Sequence, residues 1–338
     1  MRAPSVRFTN LSLLLALLVA FGTGAGAMAA GTASGRWVVI AHGVAAMMVI
    51  LLVPWKSLVV RRGLRRRRPG RHASLLLAAL LVITLLAGLA YTTGVARSVG
   101  GVLGMWIHVA AALTLLPFAI WHVVARRVRP RRADLSRRTV LRTAAIAAVA
   151  GGVYAALGSA VALAELPGTR RRFTGSYETG SFQPEAMPTT IWLDDAVPAV
   201  DRRDYRLVVV DAAGRRELSI ADLARFGSPM HATLDCTSGW YAEQDWSGAP
   251  VSALLRGIGN ARSLMVHSIT GYRVRLPVDD LDGLLLATAV GGAPLTPGHG
   301  YPVRLVAPGR RGFWWVKWVD RIELQTTPWW WQSPFPLT

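Results

Sequence analysis

Cys236 is the side chain whose chemistry is easiest to define, because it is the only cysteine in the 338 residues. A single cysteine forms no intramolecular disulfide and no metal site built from several cysteines. Three roles remain for it: packing, a reactive thiol, or one thiolate bond to a soft metal ion. It lies in the run HATLDCTSGWYAEQDWSG, residues 231–248, where glycine and tryptophan stand close to it. This composition indicates a tight turn against a flat, bulky group.

Two further runs of the chain combine glycines with basic and aromatic residues. Residues 299–318 read HGYPVRLVAPGRRGFWWVKW, and residues 173–182 read FTGSYETGSF. Together with the run around Cys236, they resemble the metal-ligand and pterin-binding segments of the sulfite-oxidase superfamily of molybdopterin oxidoreductases. The resemblance extends over residues 165–327.

The resemblance implies a molybdopterin-dependent oxidoreductase in which an oxygen atom moves to or from a substrate at a mononuclear molybdenum centre. Cys236 would bind the molybdenum of the Mo-molybdopterin cofactor. His299, Arg304 and Lys317 would hold the pterin. A pyranopterin carries a phosphate, which requires cations at a fixed separation, and arginine and lysine supply a planar fork and a point charge.

The same resemblance assigns further residues around the cofactor. Gly175, Ser176 and Tyr177 would run along the pterin, because glycines let backbone N–H groups approach a ligand closely. Tyr241 and Asp245 are expected on the substrate side, where they would act in catalysis.

The residues that directly follow Cys236 depart from the sulfite oxidases, which place arginines there to bind the sulfite dianion. Residues 237–240 read TSGW instead. They predict a neutral, aromatic pocket and argue against sulfite. The chain is in this respect closest to the bacterial periplasmic branch, which includes methionine sulfoxide reductase and pairs with a haem-bearing membrane subunit. A small-molecule or protein sulfoxide is therefore the expected substrate type, with the direction of the redox reaction left open.

The first half of the chain holds most of the apolar residues, which make up 52% of the whole. Five apolar stretches each approach the ~20 residues needed to cross a bilayer. They are residues 11–30, 37–53, 75–91, 102–124 and 144–164. The sequence therefore predicts an all-α transmembrane bundle of about four to five helices over residues 1–165, followed by an exported α+β domain over residues 166–338. The first stretch is equally typical of a cleavable signal peptide.

The exported domain is expected to mix strands with short helices. Residues 205–210, 301–307 and 316–324 have the apolar runs or alternation of strands. Residues 220–226 and 251–256 resemble short helices.

The formal net charge of +19 invites a nucleic-acid interpretation, but the arginines lie between the apolar stretches. They occupy two loops, residues 61–71 and 126–138, whereas the alternate loops carry only Arg97. Basic loops face the cytoplasm. This asymmetry predicts a multi-pass protein of the plasma membrane, with membrane lipid as a partner and the C-terminal domain on the extracytoplasmic side. Nucleic acid is excluded as a partner.

Arg137 and Arg138 stand directly before the last apolar stretch and resemble a twin-arginine export signal. The alternative is that they simply belong to a basic cytoplasmic loop. Since the molybdenum cofactor is inserted in the cytoplasm and twin-arginine export moves folded domains, the first interpretation agrees with the molybdopterin assignment.

Three histidines lie within the apolar stretches, where ionisable residues are costly and usually functional. His42 and His108 are expected at similar depth near the outer face, an arrangement that suits haem b between two helices. His122 lies fourteen residues after His108 and is a possible ligand of a second haem. The segment in this respect resembles small bacterial membrane cytochromes b. The alternative is that these histidines form hydrogen bonds across helices without a cofactor.

Three functions remain open at this point. In the first, the haem exchanges electrons between the molybdenum and the quinone pool or another redox protein. In the second, the helices are a cofactor-free anchor and a separate redox partner delivers the electrons. In the third, the outer domain is a binding module without molybdopterin, although such a module would have no reason to keep Cys236, Arg304 and Lys317.

Overall fold

The computed structural model describes residues 5–64, 70–126, 129, 131–191 and 195–333. The chain divides into two compact units, one of Met1–Met28 with Ser34–Gly175 and one of Ala29–Ala33 with Ser176–Thr338. We call them the helical unit and the strand-rich unit. The arginines at 65–68 and Arg127, predicted as part of the basic loops, lie outside the described residues, as do residues 334–338 of the predicted second domain.

The helical unit extends ten residues beyond the boundary predicted at residue 165, because the chain after its last long helix packs back onto an earlier helix end. The side chain of Arg171 donates from Nε to the carbonyl oxygen of Thr92 at 3.1 Å. Gly168 lies so close that a Cβ there would meet the same carbonyl oxygen at 2.3 Å. Only glycine permits this approach.

Within the described residues, five helices are long and apolar enough to cross a membrane by length and composition. They are α1 (Val6–Ala29), α2 (Arg36–Leu64), α3 (Arg71–Thr93), α4 (Gly104–Ala125) and α5 (Arg137–Leu163). The predicted helices are thus confirmed as helices. A two-stranded hairpin, β1 (Ser98–Val99) and β2 (Val102–Leu103), joins α3 to α4.

The helices of this unit pack in pairs around a small apolar core. Helix α3 lies against α4, and α2 lies against α5. The α2 residues Met48, Val49 and Leu52 are buried together with Ala16 of α1 and Ala150 of α5. The small side chains of the two alanines let the helix backbones approach closely, as is common between apolar helices.

The strand-rich unit contains two sheets. The six-stranded sheet comprises β3 (Tyr177–Glu178), β6 (Ser228–Asp235), β7 (Trp240–Pro250), β10 (Leu285–Val290), β11 (Ala293–Pro294) and β12 (Arg304–Val306). The five-stranded sheet has the order β5-β4-β13-β8-β9, with bounds β4 (Leu207–Asp211), β5 (Gly214–Leu218), β8 (Ser263–Ser268), β9 (Arg273–Pro277) and β13 (Val319–Gln325). Most pairings are antiparallel, but β13 runs parallel to β4 and β3 parallel to β7.

Two short helices, α6 (Ile220–Ala224) and α7 (Val251–Leu254), accompany these sheets. The prediction of a mixed α and β domain is therefore confirmed, with the helical part smaller than expected. The strand predicted over residues 301–307 is only three residues long, since residues 301–303 form a turn before β12. Leu276, Leu286, Leu305 and Ile322 fill the core with their side chains fully buried.

Strands β6 and β7 form the hairpin that positions the cysteine. They are antiparallel, and their last paired residues are Asp235 and Tyr241. The turn between them is closed by a hydrogen bond from the backbone N–H of Cys236 to the carbonyl oxygen of Trp240 at 2.8 Å. Gly239 adopts a φ of 96°, a conformation that glycine takes without strain. The tight turn predicted around Cys236 is confirmed.

Candidate functional site

A cleft of the strand-rich unit brings together four of the predicted site residues. Cys236, His299, Arg304 and Lys317 all line it. The thiol, the histidine and the two cations are therefore neighbours around one concave site.

The thiol of Cys236 lies at one wall of this cleft and is mostly buried, with 8% of the residue exposed. Its Sγ is 3.0 Å from the hydroxyl oxygen of Ser238. Among the described residues, no three histidine, cysteine, aspartate or glutamate side chains gather into a metal site. A metal ion at Cys236 would thus need ligands from a non-protein group to complete its coordination.

A buried ion pair supports the turn that carries Cys236. Arg311 places Nη1 3.2 Å from Oδ1 of Asp235, and its Nη2 donates to the carbonyl oxygen of Cys236 at 3.2 Å. The hydroxyl of Ser176 donates to the same Asp235 oxygen at 2.6 Å. Both charged side chains are almost fully buried. Breaking such a pair leaves an uncompensated buried charge, so this contact fixes the position of the turn.

Arg304 and Lys317 are two buried cations in the same cleft. Arg304 is 2% exposed, and its guanidinium lies 5.0 Å from the ring centre of Trp246 and 5.6 Å from that of Trp315. Lys317 donates from Nζ to the carbonyl oxygens of Thr190 and Gly298, at 2.8 and 2.6 Å. Neither cation forms an ion pair with a carboxylate of the described residues.

Burial disfavours the charged form of both side chains. It lowers the pKa of Arg304 to about 10 and that of Lys317 to about 7, the latter with a further contribution from the nearby Arg304 charge. Nε of Arg304 is buried without a hydrogen-bond partner. Buried charges are normally paired. Two unpaired cations in one cleft therefore fit a bound anion, such as the phosphate of a pterin cofactor.

His299 lines the cleft but directs both ring nitrogens into the protein. Nε2 donates to the carbonyl oxygen of Met187 at 2.9 Å, so Nδ1 accepts from the hydroxyl of Thr296 at 2.8 Å. Burial lowers the pKa of His299, which favours this neutral form. Its carbonyl oxygen accepts from Nη1 of Arg304 at 3.2 Å, so His299 orients the arginine through its backbone.

The other predicted residues do not line the cleft. Tyr241 and Asp245 alternate along β7 with the buried Trp240 and Trp246, which puts them on the opposite face of the strand. Asp245 is exposed and accepts a hydrogen bond from Nδ1 of His231 at 3.0 Å. The structure thus does not bring Tyr241 and Asp245 together with Cys236.

The segment of Gly175, Ser176 and Tyr177 lies apart from the cleft lining as well. Gly175 belongs to the helical unit and has a φ of 90°. Ser176 supports the turn through Asp235, and Tyr177 is buried in β3 beside Trp240. Ser176 therefore contributes to the turn and Tyr177 to the pairing with β7.

Tyr272 is a cleft residue that the sequence analysis missed. Its hydroxyl donates to the carbonyl oxygen of Phe313 at 2.5 Å, and burial raises its pKa. It stands directly before β9, after the turn at Gly271, and no spacing relative to Cys236 signals its position. Thr237, Trp240 and Trp318 line the cleft too, so its wall is largely neutral and aromatic apart from Asp195 and the two cations.

The helical unit brings two of the predicted haem ligands together. The rings of His42 and His108 have centroids 6.0 Å apart and planes at 88°. Nδ1 of His42 bonds to the carbonyl oxygen of Ala20, and Nδ1 of His108 to that of Thr84, each at 2.8 Å. Because a carbonyl only accepts, Nδ1 carries the proton in each ring and Nε2 keeps its lone pair. Metal-binding histidines typically show this arrangement.

His122, the possible ligand of a second haem, is placed differently. Among the residues that the structure describes, its ring contacts Trp121 and no other histidine. Nδ1 of His122 is buried without a hydrogen-bond partner. His72, another histidine of the helical unit, is exposed at the start of α3. The structure therefore brings no second imidazole to His122.

Comparison with known proteins supports the interpretation of the strand-rich unit. Residues 194–332 match the family described as oxidoreductase molybdopterin binding domain. Mitochondrial sulfite oxidase of Rattus norvegicus is 30% identical over an alignment of 169 residues, and the match covers 38% of this chain and 31% of that protein. The uncharacterized oxidoreductase YuiH of Bacillus subtilis is 32% identical over an alignment of 96 residues, and the match covers 27% of this chain and 48% of that protein.

Two further matches are more limited. A nitrate reductase [NADPH] of Mycosarcoma maydis is 46% identical over 55 residues, which are 16% of this chain and 6% of that protein. The sulfane dehydrogenase SoxCD structure from Paracoccus pantotrophus is 26% identical, covers 39% of this chain and 40% of that chain, and has a TM-score of 0.36, too low to support an argument.

The strand-rich unit therefore contains a molybdopterin oxidoreductase domain of the sulfite oxidase type, with homologues among sulfite oxidases and nitrate reductases. The chain spans about a third of the length of the sulfite oxidases that it matches. The family match covers none of the five long helices.

Proposed function

We propose that this protein is a membrane-anchored molybdopterin oxidoreductase that transfers an oxygen atom to or from a substrate. The observation that carries the proposal is the cleft in which the thiol of Cys236 lies with two unpaired buried cations, Arg304 and Lys317. When bound, the cofactor supplies a metal centre that changes oxidation state as the oxygen atom moves.

Each residue of the cleft has a separate role in this proposal. Cys236 binds the metal through one thiolate. Arg304 and Lys317 hold the phosphate of the pterin, with charge-assisted hydrogen bonds that are stronger than neutral ones. His299 keeps Arg304 in place through its carbonyl oxygen. The tryptophan rings around Arg304 restrict the access of water.

The wall of the cleft supports a neutral substrate better than an anion. Beside Cys236 it presents Thr237 and Trp240, and farther along Tyr272 and Trp318. The two cations of the cleft are taken up by the phosphate in this proposal. A sulfoxide, which is polar but uncharged, suits such a pocket. Sulfite would leave a dianion without a positive partner at the substrate side.

Molybdenum and pterin content test this proposal directly. The full chain, produced in cells that make the cofactor and solubilised in detergent, is expected to contain about one molybdenum and one pterin per polypeptide. Arg304→Met should lower pterin retention by about tenfold or more, since a hydrogen bond to a charged group contributes about 1.5–3 kcal/mol. The control is Arg215→Met, which removes an exposed arginine paired with Glu217. A wild-type chain without pterin would refute the proposal.

We further propose that His42 and His108 hold one haem b, which carries single electrons between the membrane and the molybdenum centre. A metal bound at about 2 Å from each ring nitrogen separates the two ring centroids by roughly 6 Å. The observed separation of 6.0 Å and the Nδ1 hydrogen bonds to carbonyl oxygens support this assignment.

Glycines beside the two imidazoles give further support. A Cβ at Gly24 would lie 3.1 Å from Cε1 of His42, and one at Gly88 would lie 2.8 Å from Nδ1 of His108. Glycine at these points leaves room for the two imidazole rings between the helices, as the proposed pair of ligands requires.

The proposed orientation has the strand-rich unit outside the plasma membrane and quinone as the electron partner. The basic loops between the helices support it, because positive loops face the cytoplasm. Helix α5 begins at Arg137, so the paired arginines lie at the entrance of the last apolar helix, as an export signal requires. If Arg137→Lys with Arg138→Lys leaves the domain fully exported and loaded with molybdenum, twin-arginine export is refuted.

A further inference from the structure

We propose that a chain of hydrogen bonds from Trp240 through Thr190 and Ser238 to Sγ of Cys236 tunes the thiolate and raises the redox potential of a metal bound there. This inference rests on the proposed function, since it requires Cys236 to bind a metal. It assigns positioning roles to Ser238 and Thr190, neither of which holds the cofactor in the arrangement described above.

The chain consists of three contacts. Nε1 of Trp240 donates to the hydroxyl oxygen of Thr190 at 3.0 Å. The hydroxyl groups of Thr190 and Ser238 are 3.2 Å apart. The hydroxyl of Ser238 is 3.0 Å from Sγ of Cys236. Trp240, Ser238 and Cys236 are each less than 9% exposed, so water does not compete for most of these bonds.

The two end groups of this series of hydrogen bonds fix which group donates in each bond. An indole N–H only donates, and a metal-bound thiolate only accepts. Thr190 accepts from Trp240 and has one proton left, and Ser238 must give its proton to the sulfur. The Thr190 proton therefore goes to the Ser238 oxygen. Hydrogen bonds aligned in one direction polarise each other, so the last one is strengthened.

The backbone holds this hydrogen-bond chain at two points. The N–H of Cys236 donates to the carbonyl oxygen of Trp240 at 2.8 Å, which fixes the backbone of the two end residues relative to each other. The carbonyl oxygen of Thr190 accepts from Nζ of Lys317 at 2.8 Å. The donor chain is thus anchored at the hairpin turn and at one of the cations of the cleft.

A hydrogen bond to a thiolate withdraws electron density from the sulfur and weakens its donation to the metal. The reduced metal is then favoured, and the potential rises. Hydrogen bonding around cysteine sulfur has this influence in blue-copper and iron–sulfur centres. Ser238 and Thr190 would therefore decide at which potential the molybdenum exchanges electrons, without touching the substrate.

The test is a redox titration of molybdenum in the solubilised full chain, followed by its Mo(V) paramagnetic resonance signal. We expect Ser238→Ala to shift the midpoint potentials to lower values. Thr190→Val, which keeps the shape but removes the middle link, should give a smaller shift in the same direction. Ser238→Thr keeps the hydroxyl and should leave the potentials near those of the wild type.

Each outcome separates the inference from the proposed function. Unchanged potentials in a fully loaded Ser238→Ala protein overturn the inference, as does an equal shift in Ser238→Thr. If Ser238→Ala fails to load, Thr190→Val decides: a lowered potential supports the inference and an unchanged one overturns it. A wild-type chain without a molybdenum signal would instead overturn the proposed function.

Discussion

The two units hold their candidate ligands in different ways. In the helical unit, each of His42 and His108 is fixed by a short hydrogen bond to one backbone carbonyl oxygen of a neighbouring helix. In the strand-rich unit, Cys236 is held by its own turn, by the Asp235–Arg311 pair and by Ser238. The first site therefore depends on how helices pack, whereas the second depends on several contacts that together hold one turn.

The largest effect should follow from removing the cysteine itself. Cys236→Ala is expected to lower the reduction of sulfoxides by a reduced dye by about 100-fold or more, because even residues that only support metal ligands contribute about 10–100-fold. The haem content of the same preparation should stay unchanged, since the two sites lie in different units. A parallel loss of haem would contradict the separation of the two sites.

The next effect concerns the helical unit. His42→Ala should reduce haem per chain by about tenfold or more, because one axial ligand is lost, and should leave molybdenum content as it was. The matched control is His231→Ala, since that imidazole is exposed and bound to Asp245. Haem content that does not change in His42→Ala would favour the cofactor-free anchor.

A smaller change tests the packing around the haem ligands. In Gly88→Ala, the new methyl group would lie 2.8 Å from Nδ1 of His108, so the imidazole must shift. Such overpacking costs about 1–3 kcal/mol. Haem should therefore pass to excess apomyoglobin faster than from the wild type. The control is Gly22→Ala, where a Cβ would meet nothing within 4 Å. Equal transfer rates for both variants would mean that the haem site does not depend on the small size of residue 88.

The smallest effect is the pH dependence of the stability of the cofactor-free protein. Burial lowers the pKa of Lys317 to about 7, compared with 10.5 for an ordinary lysine. Between these values the unfolded chain binds more protons, so the free energy of unfolding rises with pH. Between pH 7 and 9 we expect the unfolding midpoint of the strand-rich unit, followed by tryptophan fluorescence, to rise in the wild type. In Lys317→Met the unfolding midpoint should rise less over this pH range. An equal rise in both proteins would mean that groups other than Lys317 cause the pH dependence.

Part of this architecture could be predicted from sequence for a simple reason. The five long helices follow from apolar runs of the right length, which need no knowledge of partners. The cleft residues Cys236, Arg304 and Lys317 followed from motifs that keep their order and spacing. The His42–His108 pair followed from similar depth in two helices, because each lies within two turns of the start of its helix.

The remaining site residues depend on contacts between distant parts of the chain. Arg311 lies 75 positions from Cys236 and Thr190 lies 48 from Ser238, so no local pattern relates them. Tyr241 and Asp245 were expected on the substrate side from the family resemblance. The two-residue period of β7 instead puts them on the face opposite Trp240 and Trp246.

One polypeptide is proposed here to carry both redox centres. A dithionite-reduced minus oxidised visible spectrum of the solubilised full chain, with haem and molybdenum quantified on the same sample, tests this proposal. We expect a b-type α band with about one haem and about one molybdenum per chain. Molybdenum without a haem band would contradict it, and would leave a molybdopterin enzyme on a passive anchor whose electrons come from another protein.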